Sequence, residues 1–162
     1  MIVADEPIFP NNVVSLCKTA FAGIDSSVLV LGRPLRATDP NHSIGVFGQM
    51  WTPDEESIEI NGFQPGVPTL QQYLLGVQVL VKHGDEEVGS AIHSVLSARV
   101  RGVLYRNVAF RNTLGGLNAT DSGVTESMRR WGVRTQRYLS NEISGEWLYL
   151  STLEFWIETE TR

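Results

Sequence analysis

The stretch RYLSNEISGEWLYLSTLEFWIETETR, residues 137 to 162, constrains this chain more than any other. Val133 to Ser140 and Glu146 to Thr159 alternate at the two-residue period of a strand, and the NEISG between them has turn chemistry, so the pair reads as an antiparallel hairpin. In the second run Trp147, Tyr149, Leu153, Phe155 and Ile157 share one face, while Leu148, Leu150, Thr152, Glu154, Trp156 and Glu158 share the other. A long strand with apolar groups on both faces recruits stray chains if its edge is bare. The fold therefore has to cover that edge.

Thr69 to His83 gives a second long strand, with Tyr73, Leu75, Val77, Val79 and Val81 on one fully apolar face. Something must lie across it, and the next segment supplies a helix. In GDEEVGSAIHSVLSARVRGVLYR, residues 84 to 106, Asp85, Glu86 and Glu87 sit where a helix dipole favours acids, and arginine fills the last turn. Its expected buried stripe is Val88, Ile92, Val95, Leu96, Val103 and Leu104, with His93 at the edge.

Residues 11 to 22 predict another amphipathic helix, with Val13, Leu16, Cys17, Ala20 and Phe21 on the apolar side, a cap at Asn11 or Asn12, and a stop at Gly23. Ser27 to Leu31 and Ser43 to Trp51 read as short strands joined by the loop GRPLRATDPNH. Asn61-Gly62 signals a hairpin within an excursion over residues 52 to 68. Residues 107 to 123 read as a short apolar piece followed by a flexible loop, and 124 to 131 fits either a helical turn or a strand. The order predicts an α+β domain spanning 1 to 162, with a largely antiparallel sheet and two main helices on one face.

At 42% hydrophobic and 19% charged residues, wholesale disorder is excluded. The acidic opening MIVADEPIFPNN and the single cysteine suit an intracellular, reducing setting. Cys17 falls on an apolar stripe and is expected to be a small buried hydrophobe. His42, His83 and His93 lack metal-ligand spacing, no GxSxG nucleophile motif occurs, and Gly115, Gly116 and Gly123 lack the GK[ST] of a phosphate loop. The carboxylates Asp54, Glu55, Glu56 and Glu59 read as a solvated tip. No catalytic residue, metal or cofactor is expected, and no enzyme activity.

Charge is strongly segregated. Arg99, Arg101, Arg106, Arg111, Arg129, Arg130, Arg134 and Arg137 face only Asp121 and Glu126 within residues 99 to 137, although the chain carries a net charge of -5. Such a stretch can meet an acidic neighbour or a polyanion. Trp156, between Glu154 and Glu158 on one strand face, is placed to be half exposed and to anchor an interface.

Two phrases, VQVLVKHGDEEVGSAIHSVLSARVRGVLYR and RRWGVRTQRYLSNEISGEWLYLSTLEFWIETETR, resemble the tail terminator (tail completion) proteins of long-tailed bacteriophages, particularly those of actinobacterial phages. The likeness is strongest from Thr69 to Arg162. It implies a structural virion protein, assembled in the host cytoplasm as a homo-oligomeric ring, typically a hexamer, that caps the head-proximal end of the tail tube. Such a ring ends tube polymerisation and joins the tail to the neck. Its partners would be the tail tube protein, neck or head-completion proteins, and DNA passing through the lumen without sequence-specific contact. The interface or lumen candidates are then Arg99, Arg101, Arg106, Arg129, Arg130, Arg134, Arg137, Trp156, Glu154 and Glu158, and the final strand and the helix near 85 to 105 would supply core and seam. Another neck or head-closure connector, a small polyanion or nucleic-acid-binding module, and a small enzyme using Cys17 or a histidine are the alternatives.

Overall fold

Six strands form one sheet in the computed structural model, which describes residues 9–49, 69–121 and 123–161. The elements in chain order are α1 (Phe9–Ala22), β1 (Leu29–Leu31), β2 (His42–Gln49), β3 (Thr69–His83), α2 (Glu86–Arg106), α3 (Val108–Gly115), β4 (Asn118–Asp121), β5 (Val124–Ile143) and β6 (Glu146–Thr161). The sheet order is β1-β2-β3-β6-β5-β4, antiparallel throughout except for the parallel β1–β2 pair. The expected α+β architecture with a largely antiparallel sheet is therefore present. The excursion 52 to 68, its Asn61-Gly62 turn, the Trp51 end of the second strand and the carboxylates at 54 to 59 lie outside the described residues.

The edge question of the C-terminal run has an internal answer. β6 is the centre of the sheet, paired from Thr161 to Trp147 with β3 and from Thr161 to Glu146 with β5. The hairpin joining β5 to β6 is tighter than the five-residue NEISG suggested, because both strands continue to a two-residue turn at Ser144 and Gly145. Both turn residues have positive φ, 52° and 80°, as a twist-matched hairpin turn requires.

All three helices lie on one face of this sheet. α1 packs on β1 and β2, α2 on β3 and β6, α3 on β5, and the helices touch one another. Between them and the sheet lie Val13, Cys17 and Phe21 of α1, Leu75, Val77, Val79 and Val81 of β3, and Leu153, Phe155 and Ile157 of β6, each at most 2% exposed. The α1 stripe is as expected. Its start is not, since the helix already includes Phe9, which places Asn11 and Asn12 inside it rather than at a cap.

Two other expectations are corrected and one left open is decided. The segment after α2 is a second short helix, α3, capped by Asn107 through its side-chain oxygen and the Phe110 N–H (2.9 Å), followed by strand β4 instead of a loop. Residues 124 to 131 are strand. The stripe of α2 is rotated, so that Gly89, His93, Leu96, Ser97, Val100 and Leu104 are buried whereas Val88 and Val95 are 45% and 52% exposed.

Gly89 explains that rotation. A Cβ there would lie 2.8 Å from Tyr149 Cε2 and 2.9 Å from His83 Cβ, so only glycine lets the first turns of α2 approach β6 this closely. Asp85 caps the same end by accepting from the Val88 N–H (2.9 Å), and the Tyr149 hydroxyl donates to the Glu86 carbonyl (2.7 Å). Gly89→Leu gains about 1 kcal/mol of helix propensity but overpacks the contact by about 1 to 3 kcal/mol. The expected outcome is a net loss near 1 kcal/mol and a lower Tm, by about 2 to 4 °C, read by calorimetry; an unchanged or higher Tm would remove the close-approach explanation.

Candidate functional site

The opposite face of the sheet carries the polar constellation. Glu158 of β6 points there and is only 3% exposed, yet it is fully engaged. Arg130 of β5 donates to it through Nε (3.0 Å to Oε1) and Nη2 (3.1 Å to Oε2), and Gln72 of β3 donates from Nε2 (3.2 Å). Arg129 Nε stands 3.7 Å from the same carboxylate. The hydrogen bonds from Arg130, ahead of the opposing cost of burial, hold the Glu158 carboxyl below its ordinary pKa. Glu158, an interface candidate in the sequence, finds these partners in its own chain.

Two consecutive arginines reach one carboxylate because β5 is bulged there. Met128 pairs with Thr159 and Arg130 with Glu158, so Arg129 has no opposite residue in β6. In a regular strand, 129 and 130 would point to opposite faces; the extra residue re-aims the chain. The Arg130 guanidinium also lies 5.7 Å from the centre of the Trp156 ring, and a Cβ on Gly132 would sit 2.9 Å from that indole. Trp156 is half-buried, as its place in the sequence suggested.

A cleft of about 310 Å³ adjoins the bulge, lined among others by Tyr105, Arg111, Arg129, Arg130, Trp131 and Phe155. Arg111, from the corrected α3, lines this cleft, and its side chain makes one hydrogen bond among the described residues, Nη1 donating to the Tyr105 carbonyl (3.3 Å). The remaining sequence candidates are scattered. Arg99 is exposed and pairs with Asp25 at 3.6 Å. Arg101, Arg106 and Arg137 are exposed, with no ion pair among the described residues. Arg134 lies at the second bulge of β5, between Val133 and Gln136, opposite the half-buried Glu154. Gln72, Gly132 and Tyr105 join the site without a sequence signal, and Arg111, visible only as one of the basic stretch, is brought to it by a helix that composition disguised as loop.

The same outer face has an apolar end. Leu139 and Ile143 of β5 are 65% and 46% exposed, beside half-buried Leu148 and Leu150. The loop between β1 and β2 covers Leu80 nearby. Arg33 clamps that loop by a two-pronged bond to Asp39 (2.6 and 2.9 Å), which holds the Asp39 carboxyl down at about 2, and Leu35 N–H donates to Gln78 Oε1 (2.8 Å). Beyond the four residues paired with β4, the other side of β5 has no strand neighbour among the described residues. Met128 N–H donates to the Leu117 carbonyl (3.1 Å), so among the described residues the open edge of the sheet runs along β5 from Arg129 to Ile143, not along the final strand.

On the helix side His93 is buried against Ser151 (3.1 Å) and Ser97 (3.4 Å), between the rings of Tyr138 and Tyr149 at 5.4 and 6.0 Å. Ser151 is 1% exposed, so its hydroxyl reaches no solvent. Cys17 is buried and its thiol is pushed up to about 12 by that burial, which keeps it a protonated apolar filler. Among the described residues, no group of three His, Cys, Asp or Glu side chains could hold a metal ion, and no helix is long and apolar enough to cross a membrane.

No family profile and no curated protein matches the chain. One solved protein with no functional name aligns over 91% of this chain and 94% of its own, at 12% identity and a TM-score of 0.36, which is too low to carry an argument.

Two outcomes test the site. Glu158→Ala is expected to cost about 2 kcal/mol or more, since it strips a nearly buried acceptor from two arginines and Gln72, whereas Arg130→Ala, an exposed partner, should cost less; urea melts that rank them the other way would contradict the arrangement. Burial lowers the pKa of His93, against a smaller opposing contribution from the Val79 backbone. The unfolded chain therefore takes up this proton first, near 6.5, and stability should fall as pH drops below about 6.5 by up to about 1.4 kcal/mol per unit. His93→Gln should flatten that slope between pH 5 and 7, measured by urea denaturation at each pH.

Proposed function

We propose that this protein is a structural ring subunit at the head-proximal end of a long-tailed phage tail, ending tube growth and presenting a surface to the neck. The observation that carries the reading is the edge of β5, which has no strand neighbour among the described residues beyond β4, with exposed Leu139 and Ile143 beside it. Such an edge needs a partner, and closed cyclic symmetry supplies one to every copy without leaving a free end. The resemblance of residues 69 to 162 to tail terminators names the setting, and a related neck or head-closure connector would use the same ring logic. Mechanism here is geometry and affinity: strand edge and arginine cleft bind the neighbour, and exposed arginines such as Arg101 and Arg106 are available to tube, neck or passing DNA. The cleft itself favours a second reading, a module for polyanions, which predicts binding that weakens steeply with salt and no ring.

Electron microscopy of the purified protein, with and without tail tubes from the same genome, tests the choice. Closed rings, or caps at one tube end only, are the expected outcome. A protein that stays monomeric and never decorates a tube end overturns the reading.

A further inference from the structure

The two ends of α2 carry opposite charge. Its first turn presents Asp85, Glu86 and Glu87, all exposed, and the β5–β6 hairpin adds exposed Glu142 and Glu146 at the same end. Tyr149 ties that end together, since it belongs to β6 just after the hairpin and its hydroxyl holds the Glu86 carbonyl. A helix of this length separates its ends by about 30 Å. At the far end Arg106 closes the helix, and Arg111, Arg129 and Arg130 line the cleft, where Glu158 occupies Arg130 and draws Arg129 only to 3.7 Å. Glu86 and Glu87 form no ion pair among the described residues, so unmatched acid and unmatched base face solvent on opposite ends of one chain.

The shapes agree with the charges. The cleft has an apolar floor from Leu104, Val133 and Phe155 under an arginine and aromatic rim. The acidic turn carries Val88 immediately after its glutamates, left 45% exposed by the rotation that Gly89 imposes. We infer that the cleft formed by Arg111, Arg129, Tyr105 and Trp131 is a socket for the acidic first turn of α2 from a second copy of this chain, with Val88 seated on the apolar floor. The contact is heterologous: every copy offers one turn and one socket, so copies join head to tail and close when the rotation per copy permits. Arg129, carried outward by the bulge, and Arg111 present forks suited to carboxylates. A nucleic acid is the less favoured occupant because the cleft combines its arginines with the apolar Leu104, Val133 and Phe155, which suit an exposed valine beside carboxylates better than a phosphate backbone. The inference deepens the ring reading and rests on it, since the socket opens on the β5 edge.

The test is sedimentation velocity of the full chain at low and physiological salt, with tube-end capping scored in parallel. Glu86→Lys with Glu87→Lys reverses the plug; Arg111→Glu with Arg129→Glu reverses the socket and leaves Arg130 on Glu158. All four side chains are exposed, and circular dichroism verifies the fold. The wild type should self-associate, weakening about tenfold from low to physiological salt. Each variant alone should be monomeric, and an equimolar mixture should associate again, because every junction then pairs acid with base. Variants that associate or cap tubes as the wild type does overturn the socket and leave the tail-end reading standing, as does a mixture that stays monomeric while the wild type caps tubes. A wild type that neither associates at millimolar concentration nor caps overturns both. A fluorescent single-stranded oligonucleotide bound by the wild type and lost with the reversed socket, without change in mass, overturns it in favour of a nucleic-acid site.

Discussion

Everything in this fold depends on β6 lying between β3 and β5 along its whole length. Because neighbours flank it on both sides, its two faces have separate tasks. One buries Leu153, Phe155 and Ile157 under the helices. The other holds Trp156 and Glu158 against β5 and β3, and so creates the polar constellation. Had β6 been an edge strand, Glu158 would have been a solvated carboxylate with little energetic weight. Placed centrally, it organises Arg130 and Gln72 across three strands.

The bulges of β5 serve both packing and surface. The first frees Arg129 from the ladder beside the cleft, and the second interrupts pairing between Val133 and Gln136. Interruptions of this kind, together with arginines on the strand, discourage indiscriminate pairing with other chains while leaving the regular stretch from Arg137 to Ile143 free for a chosen neighbour. The strand thus combines protection and recognition in one element.

Legibility in the sequence followed periodicity. β3, β6 and the apolar stripe of α1 were readable because each keeps one unbroken period, and Cys17 lay on the stripe that buried it. β5 was not, for a definite reason. Each bulge flips which residues face the helices: Met128 faces them before the first, Trp131 and Val133 between the two, and Tyr138 after the second. No single alternation spans 124 to 143, so the first half read as undecided. On α2 the apolar count misled, because the buried face uses Gly89, His93 and Ser97 while Val88 and Val95 face out. The arginines were visible as a group. Which of them share a carboxylate was a matter of register, and register is set by the bulges.

The β3–β6 pairing also has a temporal side. Its partners are separated by 64 residues, for His83 with Trp147, to 92, for Thr69 with Thr161. At roughly 5 to 20 residues per second of synthesis, β3 waits roughly 3 to 20 s for the strand that completes its ladder. During that interval Leu75, Val77, Val79 and Val81 have α1, β2 and then α2 to shelter beside, but one row of backbone donors and acceptors goes unmatched. A nascent chain of this kind is at its most vulnerable while still attached to the ribosome, and early docking of the helix that begins at Glu86 shields its apolar face until the central strand arrives.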